Sequence, residues 1–453
     1  MYRIIEGKLK EWKLKKDRKP LLLSGARQVG KTYSLKKFGN ESFIRLHYLN
    51  FEEDETLKKI FERDLKSKRI LEEISFALDS SIDIKNDLII FDEIQECPRA
   101  ITSLKYFKEN LPELAICCAG SLLGLHLGET NFPVGKVEFM PMHPMSFNEF
   151  LLGIGDKKAS DFLTNFSKIE FIPEIIHSHL WEQFKIYLVI GGLPEIVKTY
   201  RDNINDKFKS FQMIGERQHN LILSYLADIA KHSGKQNSMH IERIWRNVPS
   251  QLSRTNDGSS PKFRFKGIVP GIKGYGRLSG AIDWLEKAGL IIKSNIVTSA
   301  HLPLSAYSKE NFIKLFLFDV GILRALSHLA PKTILDYEYG SYKGYYAENF
   351  ITQELKCMGI KDIVCWRENT SEVEFLITWQ NLIIPLEIKS GWVTQAKSLK
   401  VFMEKYRPKI QIIMSARNIS IDRDKKLYKL PIYLISATHL FEKLLHHTFT
   451  FAE

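Results

Sequence analysis

The chain has 453 residues, 44% of them hydrophobic and 26% charged, enough apolar material for real cores in roughly two to four domains. No run of about eighteen apolar residues occurs, and Met1-Tyr-Arg-Ile-Ile-Glu-Gly-Lys8 shows no apolar leader, so we expect a cytoplasmic protein without a membrane partner. A formal net charge of +12 favours polyanionic partners, because Lys and Arg that neutralise phosphates release condensed counterions.

Residues 1–20 read as a basic amphipathic helix, with Ile4, Ile5, Leu9 and Trp12 near helical spacing. Leu21-Leu-Leu-Ser-Gly-Ala-Arg-Gln-Val-Gly-Lys-Thr32 then reads as an apolar strand, a glycine-bounded loop and the start of a helix running to about Phe38. Gly25 and Gly30-Lys31-Thr32 match G-x-x-x-x-G-K-[ST], a loop whose backbone amides cradle phosphates while the lysine reaches the β/γ-phosphates and the threonine holds Mg²⁺. The expected nucleotide contacts are Gly25, Ala26, Arg27, Gln28, Val29, Gly30, Lys31, Thr32 and Tyr33, with the Lys31 ammonium facing solvent when no phosphate is present. The helix start would direct its amides and positive dipole end at the same phosphates.

Phe43 to Asn50 follows as a strand, and the charged stretch from Glu52 to Leu78 as helix. Asp87-Leu-Ile-Ile-Phe-Asp92-Glu93 is an apolar strand ending in two carboxylates, the form of a Walker B strand. Asp92 would orient Mg²⁺, and Glu93 would polarise the attacking water. Cys97 to Asn110 suits a helix, and Leu114 to Ser121 another strand, with Ser121 placed to sense the γ-phosphate. Strands alternating with helices predict an α/β fold with a parallel sheet covered on both faces.

Gly-Ala-Arg-Gln-Val-Gly-Lys-Thr32, Ile-Phe-Asp-Glu-Ile-Gln95, Ala-Gly-Ser121 and Val134 to Phe150 together resemble a prokaryotic family of AAA+ ATPases with a C-terminal region of unknown function. Leu188-Val-Ile-Gly-Gly-Leu-Pro-Glu195, Val248 to Ser253, Trp284 to Leu290 and Lys314-Leu-Phe-Leu-Phe-Asp-Val-Gly321 extend the resemblance over most of residues 20–395. It implies a P-loop ATPase binding ATP and Mg²⁺, and rings or other homo-oligomers of such modules. One departure stands out: the family usually shows Gly-Arg where this chain has Gly135-Lys136, and lysine lacks the planar two-donor fork. We assign no arginine finger.

From Glu170 to Tyr225 the pattern is helical, with Trp181, Phe184, Tyr187 and Leu188 on one stripe, and is read as a lid or a plain helical linker. Helices over Ile241–Leu252 and Gly276–Ala288, then a strand from Gly289, follow the order of a winged helix. Between them lies a Gly-rich basic loop with interleaved aromatics, in which Lys262, Arg264, Lys266, Lys273 and Arg277 suit DNA backbone contacts. A winged helix used only for protein contacts is the alternative.

Gly344 to Lys356 is a helix with Glu348 near its start, and Val364 to Arg367, Ser371 to Ile377 and Leu382 to Lys389 read as successive strands. Glu374, Glu387 and Lys389, the last two on one strand face, resemble with Glu348 the core of PD-(D/E)XK nucleases, with Glu374 where the pattern usually has Asp. That resemblance implies Mg²⁺ or Mn²⁺ on Glu348, Glu374 and Glu387, with Lys389 orienting or activating water. The five cysteines, at 97, 117, 118, 357 and 365, lack metal or disulfide spacing and are expected as buried thiols, and His446-His447 as a solvated tail pair.

The expected domains are an AAA+ P-loop ATPase core (1–168), a helical lid or linker (169–236), a winged helix (237–305) and a nuclease-like α/β domain (306–453). The expected activity is ATP hydrolysis catalysed by Lys31 and Glu93, with DNA as partner and a metal-dependent nuclease site using Lys389. Two alternatives are carried: an ATP-gated switch that docks a protein on an inactive nuclease-like scaffold, and a nuclease for which nucleotide is only a regulatory ligand.

Overall fold

Short apolar runs bounded by turn residues become the strands of the first unit: β1 (Leu21–Ser24), β2 (Leu46–Asn50), β3 (Leu88–Asp92), β4 (Ala115–Ala119) and β5 (Glu138–Pro141). In this computed structural model, which describes residues 1–120, 132–252, 262–272, 274–340, 342–391 and 396–450, they form one sheet in the order β2-β3-β4-β1-β5. All four pairings are parallel. Parallel neighbours need crossovers, and the amphipathic helices α1 (Ile4–Leu14), α2 (Lys31–Ser42), α3 (Ser67–Ala77) and α4 (Pro98–Asn110) cover the sheet. β3 and β4 are buried along their whole lengths, as central strands covered on both faces must be.

The core of this unit gathers Leu22, Leu49, Ile89, Ile116 and the rings of Phe51, Phe61 and Phe91, with Phe61 edge-packed on the other two, each Phe contributing roughly 1.5–3 kcal/mol by burial. Trp12 of α1, almost fully buried, packs its edge on Phe38 of α2. The unit comprises Met1–His143 with Lys287–Leu290. β4 separates β1 from β3, so the glycine loop after β1 and the carboxylates at the end of β3 emerge at the same edge of a parallel sheet, two strands apart.

The second unit, Pro144–Glu286 with Ile291–Glu453, starts with helices: α5 (Phe147–Ile154), α6 (Lys157–Thr164), α7 (Glu174–Ile190), α8 (Pro194–Asp202), α9 (Lys207–Ser233), α10 (Lys235–Leu252) and α11 (Ser279–Lys287). Their ends follow local chemistry: Ser146 and Glu149 make a reciprocal capping box on α5, and Pro194 opens α8, where a missing N–H costs nothing. Gly191 ends α7 at φ 77°, and a Cβ there would strike the Asp319 carboxylate. Asp319 is buried and accepts from Gly192 N (2.6 Å) and Ile322 N (3.0 Å), tying the α7–α8 turn to the start of α12 (Val320–Leu326).

After α13 (Pro331–Leu335) and α14 (Tyr342–Cys357) the chain runs as an antiparallel meander β8 (Val364–Glu368), β9 (Ser371–Trp379) and β10 (Leu382–Ile388). α15 (Lys397–Tyr406) then crosses to β11 (Gln411–Ser415), which pairs parallel with β10, and β12 (Ser420–Asp422), β13 (Leu427–Pro431) and α16 (Leu440–Thr450) complete the unit. Trp366, Leu376, Leu399, Phe402 and Ile413 form a core between α15 and the sheet. The hairpin of β6 (Ile291–Val297) and β7 (Ser308–Leu317) belongs to this same eight-stranded sheet, because β6 pairs parallel with β8. A boundary at 305/306 therefore falls inside one hairpin: the free edge of β6 finds its partner only in three dimensions.

Among the described residues no helix is long and apolar enough to cross a membrane. Four of the five cysteines are buried thiols, and Cys357 is half-buried. His447 is not a solvated tail residue: its Nδ1 lies 2.9 Å from the Tyr428 hydroxyl.

Candidate functional site

The loop after β1 is shaped by backbone constraints. A Cβ on Gly25 would collide with the carbonyl of Met142, whose own N–H donates to Ser24 O at 2.7 Å, so glycine is required here for packing as well as for any anion. Gln28 (φ 65°) and Gly30 (φ 95°) are left-handed, and Gly30 caps α2. Ala26 and Val29 are buried, the Val29 carbonyl accepting from Arg3 at 2.7 Å, while Arg27 leans toward Glu52 at 3.8 Å. Gln28 and Tyr33 are exposed.

Lys31 corrects one expectation. Its side chain does not face solvent: the residue is only 7% exposed, and Nζ donates to the carbonyls of Gly25 and Ala26, both at 2.9 Å. Burial pulls the ammonium down to about 8, against the opposing pull of Glu93 and Asp92. The loop curls around its own cation, which can exchange two carbonyl acceptors for phosphate oxygens.

Thr32 Oγ1 donates to Asp92 Oδ2 at 2.8 Å, bringing together the two residues that the motifs assign to Mg²⁺, one in the first turn of α2 and the other at the end of β3. The convergence of a hydroxyl and a carboxylate oxygen fits a hard, oxygen-seeking cation. The same Oδ2 accepts from the Tyr48 hydroxyl at 2.7 Å, and burial and then Asp92 push that phenol well above its usual range. Tyr48 was not foreseen: it reaches Asp92 because β2 pairs with β3, a contact with no local signal. Glu93 stands at φ 46°, a left-handed conformation that costs a non-glycine residue roughly 1–2 kcal/mol. Its Oε2 accepts from Gln95 at 2.6 Å. Ser121 lies outside the described residues, and Lys136 pairs with Glu109 at 3.1 Å.

In the second unit the structure brings Glu348, Glu374, Glu387 and Lys389 within electrostatic reach of one another. All three glutamates are buried. Burial first, and then Glu387, with which it shares a hydrogen bond, lift Glu374 far above the usual carboxylate range. Lys389 Nζ sits 2.7 Å from Glu387 Oε1 and 4.0 Å from Glu374 Oε1, and Glu374 Oε2 accepts from Ile388 N at 3.3 Å. Lys314, fully buried on β7, adds a cation not foreseen, 2.5 Å from Glu372 and 3.6 Å from Glu348. Among the described residues no three His, Cys, Asp or Glu side chains are disposed to hold a metal ion. Two of the three glutamates expected to bind metal stand beside ammoniums, Glu387 beside Lys389 and Glu348 beside Lys314.

The basic loop alternates cleanly where it is described. Phe263 and Phe265 are buried, whereas Arg264 and Lys266 are exposed and Lys262 half-buried. Phe263 N donates to Ile313 O (2.8 Å), and the Gln251 amide bonds both the N–H and the C=O of Arg264, fixing the strip beside β7. The interleaved aromatics are thus anchors that turn the cations outward. Arg277 is exposed just ahead of α11, and Lys273 lies outside the described residues.

Residues 17–151 match the AAA domain family. Residues 181–333 match a domain of unknown function (DUF8612), and residues 343–435 another (DUF4143). No curated protein matches the chain. Among solved structures the chain is similar to the Walker-type ATPase paby2304 of Pyrococcus abyssi, at 18% identity and a TM-score of 0.45 over 72% of this chain and 95% of that one. It is also similar to the Aeropyrum pernix ORC1 protein in complex with DNA (15%, TM-score 0.32, over 72% and 90%). A third is the Thermotoga maritima RuvB Holliday junction branch migration motor (13%, TM-score 0.32, over 64% and 89%). Likenesses this distant assign neither substrate nor partner. With its sheet order and glycine loop, the chain contains an AAA-type, ATPase-like domain.

Proposed function

We propose that this chain with its AAA-type, ATPase-like domain binds and hydrolyses ATP and acts on DNA, in the cytoplasm and as a homo-oligomer. The observation that carries the ATP reading is the meeting of Lys31, Thr32 and Asp92 at one edge of the parallel sheet. The α2 N-terminus supplies amides and a positive dipole end to the phosphates, and Lys31 turns from the Gly25 and Ala26 carbonyls to them. Mg²⁺, held by Thr32 and Asp92, would supply neutralisation of phosphate charge. Glu93 takes the proton of the attacking water as its oxygen bonds the γ-phosphorus; the bond to the β–γ bridging oxygen breaks, and ADP leaves with that electron pair. Gln95 positions the Glu93 carboxylate.

DNA as partner is supported by the net charge of +12 and by the outward Arg264 and Lys266 on the strip beside β7. The helix–three-strand–helix–strand order from α14 to β11 supports a nuclease-like core and the hairpin with α10 and α11 a winged helix. For that core we favour a docking scaffold over a metal-dependent nuclease, because Lys389 already rests on Glu387.

ATP turnover by the purified chain, with and without single- and double-stranded DNA, tests the proposal. Lys31→Ala should lose nucleotide binding, while Glu93→Gln should bind ATP and turn it over at least ~100-fold more slowly. Equal loss of binding in both variants would contradict the separate roles, and no wild-type turnover would sink the reading.

A further inference from the structure

The cations of the strip do not stop at residue 266. Lys262 Nζ sits 3.5 Å over the Phe312 ring on β7, and its ammonium is pushed below its ordinary range by burial and then by two like charges, Arg367 and Lys309. Lys309 is exposed near the start of β7, and the Arg367 side chain is 44% exposed on β8. Among the described residues the one carboxylate paired with Arg367 is Glu372, at 3.8 Å, and Glu372 is already bound by Lys314 at 2.5 Å. Val297 of β6 lies opposite both Ser308 of β7 and Trp366 of β8, which brings the neighbouring Lys309 and Arg367 to one end of the sheet. Among the described residues these three cations, from three segments, have one ion-paired carboxylate between them, Glu372, which Lys314 also holds. Like charges so assembled repel, and what relieves the repulsion is a bound anion.

We propose that Lys309 and Arg367 join Lys262 in one phosphate-binding cluster, which carries a nucleic-acid backbone from the 262–266 strip across β7 and β8 toward the glutamate–lysine cluster of β9 and β10. The inference rests on the DNA reading above and adds two residues that no motif singles out. The sheet order gives the direction: β7, β6, β8, β9 and β10 lie side by side, so a backbone resting on Lys309 and Arg367 runs on toward the strands that carry Glu374 and Glu387. Arg367 offers a planar fork suited to phosphate oxygens, and Lys262 and Lys309 act as point charges. Nothing in this arrangement reads bases, so the binding is independent of sequence and steep in salt.

The test uses the full chain, a fluorescent thymidine-tract oligonucleotide and its duplex, and anisotropy over a salt series. Lys309→Gln with Arg367→Gln should weaken binding several-fold and lower the slope of log affinity against log salt by roughly 0.7–0.9 for each phosphate left unneutralised. Lys400→Gln with Lys425→Gln, at side chains 80% and 73% exposed, should leave the slope unchanged. Thermal melts and DNA-free ATP turnover report whether each variant is folded. Steep wild-type binding with the same slope in the Lys309/Arg367 variant overturns this inference and leaves the DNA reading standing, as does an equal loss in the control. No wild-type binding to either oligonucleotide removes the DNA reading and the inference with it.

Discussion

A lysine that gives up its proton near pH 8 makes nucleotide affinity a function of pH. Phosphates bind the protonated Lys31, whose pKa in the free protein is lowered to about 8 and which the bound anion raises again. Below pH 8 the free protein is already charged, and affinity is flat. Above it, binding must take up a proton, and affinity falls by up to about tenfold per pH unit. Lys31→Arg, which stays charged, should show a weaker but flat profile, so titration calorimetry from about pH 7 to 9.5 separates the two; a flat wild-type profile would contradict the buried ammonium. At this scale the motif residues were legible because their chemistry depends on fixed offsets along the chain. Tyr48, Lys314 and Glu372 were not: the pairing of β2 with β3 brings Tyr48 to Asp92, and only the tertiary fold brings Lys314 of β7 to Glu348 of α14 and Glu372 of β9.

Among the elements, α14 shows where periodicity misleads. A one-sided stripe is expected of a surface helix, yet Gly344 to Leu355 are all buried, Glu348, Asn349, Thr352, Gln353 and Glu354 among them. Three of those polar side chains, Asn349, Gln353 and Glu354, make hydrogen bonds to neighbouring elements, while Thr352 bonds the Glu348 carbonyl of its own helix. Asn349 bonds both backbone groups of Leu317, Gln353 links Val320 N to the Tyr187 hydroxyl, and Glu354 accepts from Phe147 N (2.9 Å) and Ser436 Oγ (2.7 Å). Burial pushes the Glu354 carboxyl up to about 8 from an ordinary 4.5. Between these values the unfolded chain has lost the proton and the folded one keeps it, so stability falls as pH rises, by at most about 1.4 kcal/mol per unit. Glu354→Gln keeps the shape and an acceptor for Phe147 N. It should flatten thermal stability between about pH 5 and 8 and match or exceed the wild type at pH 8; an unchanged slope would mean that Glu354 ionises freely in the fold.

For the whole molecule, the alternation of strands and helices in residues 21–119 foretold a parallel sheet, and the helix and three strands from Gly344 to Lys389 were equally local, whereas α15 and β11 were not foreseen. The grouping into two units was not, since it depends on β6 joining β8 across nearly seventy residues of chain. The same limit applies to metal. Residue types place oxygen donors in both units, but only the spatial arrangement says which set is already neutralised. In the first, Thr32 and Asp92 converge with no ammonium bonded to the carboxylate among the described residues; in the second, Lys389 holds Glu387, and burial and Glu387 push the Glu374 carboxyl well above its ordinary range. Mg²⁺ should therefore raise the melting temperature strongly only together with ATP, through preferential binding to the folded state, and that rise should vanish in Asp92→Asn. In Lys31→Ala protein without nucleotide, Mg²⁺ or Mn²⁺ should change the melt by no more than about a degree. Lys389→Ala reverses the case: it strips Glu387 of its counter-charge at a cost of about 3 kcal/mol, the low end for a buried pair because Lys389 is 29% exposed, and divalent cation should then restore part of the loss. Strong metal stabilisation of Lys31→Ala protein that disappears on Glu387→Ala would reject the lysine-balanced cluster and return the second unit to the metal-dependent nuclease class.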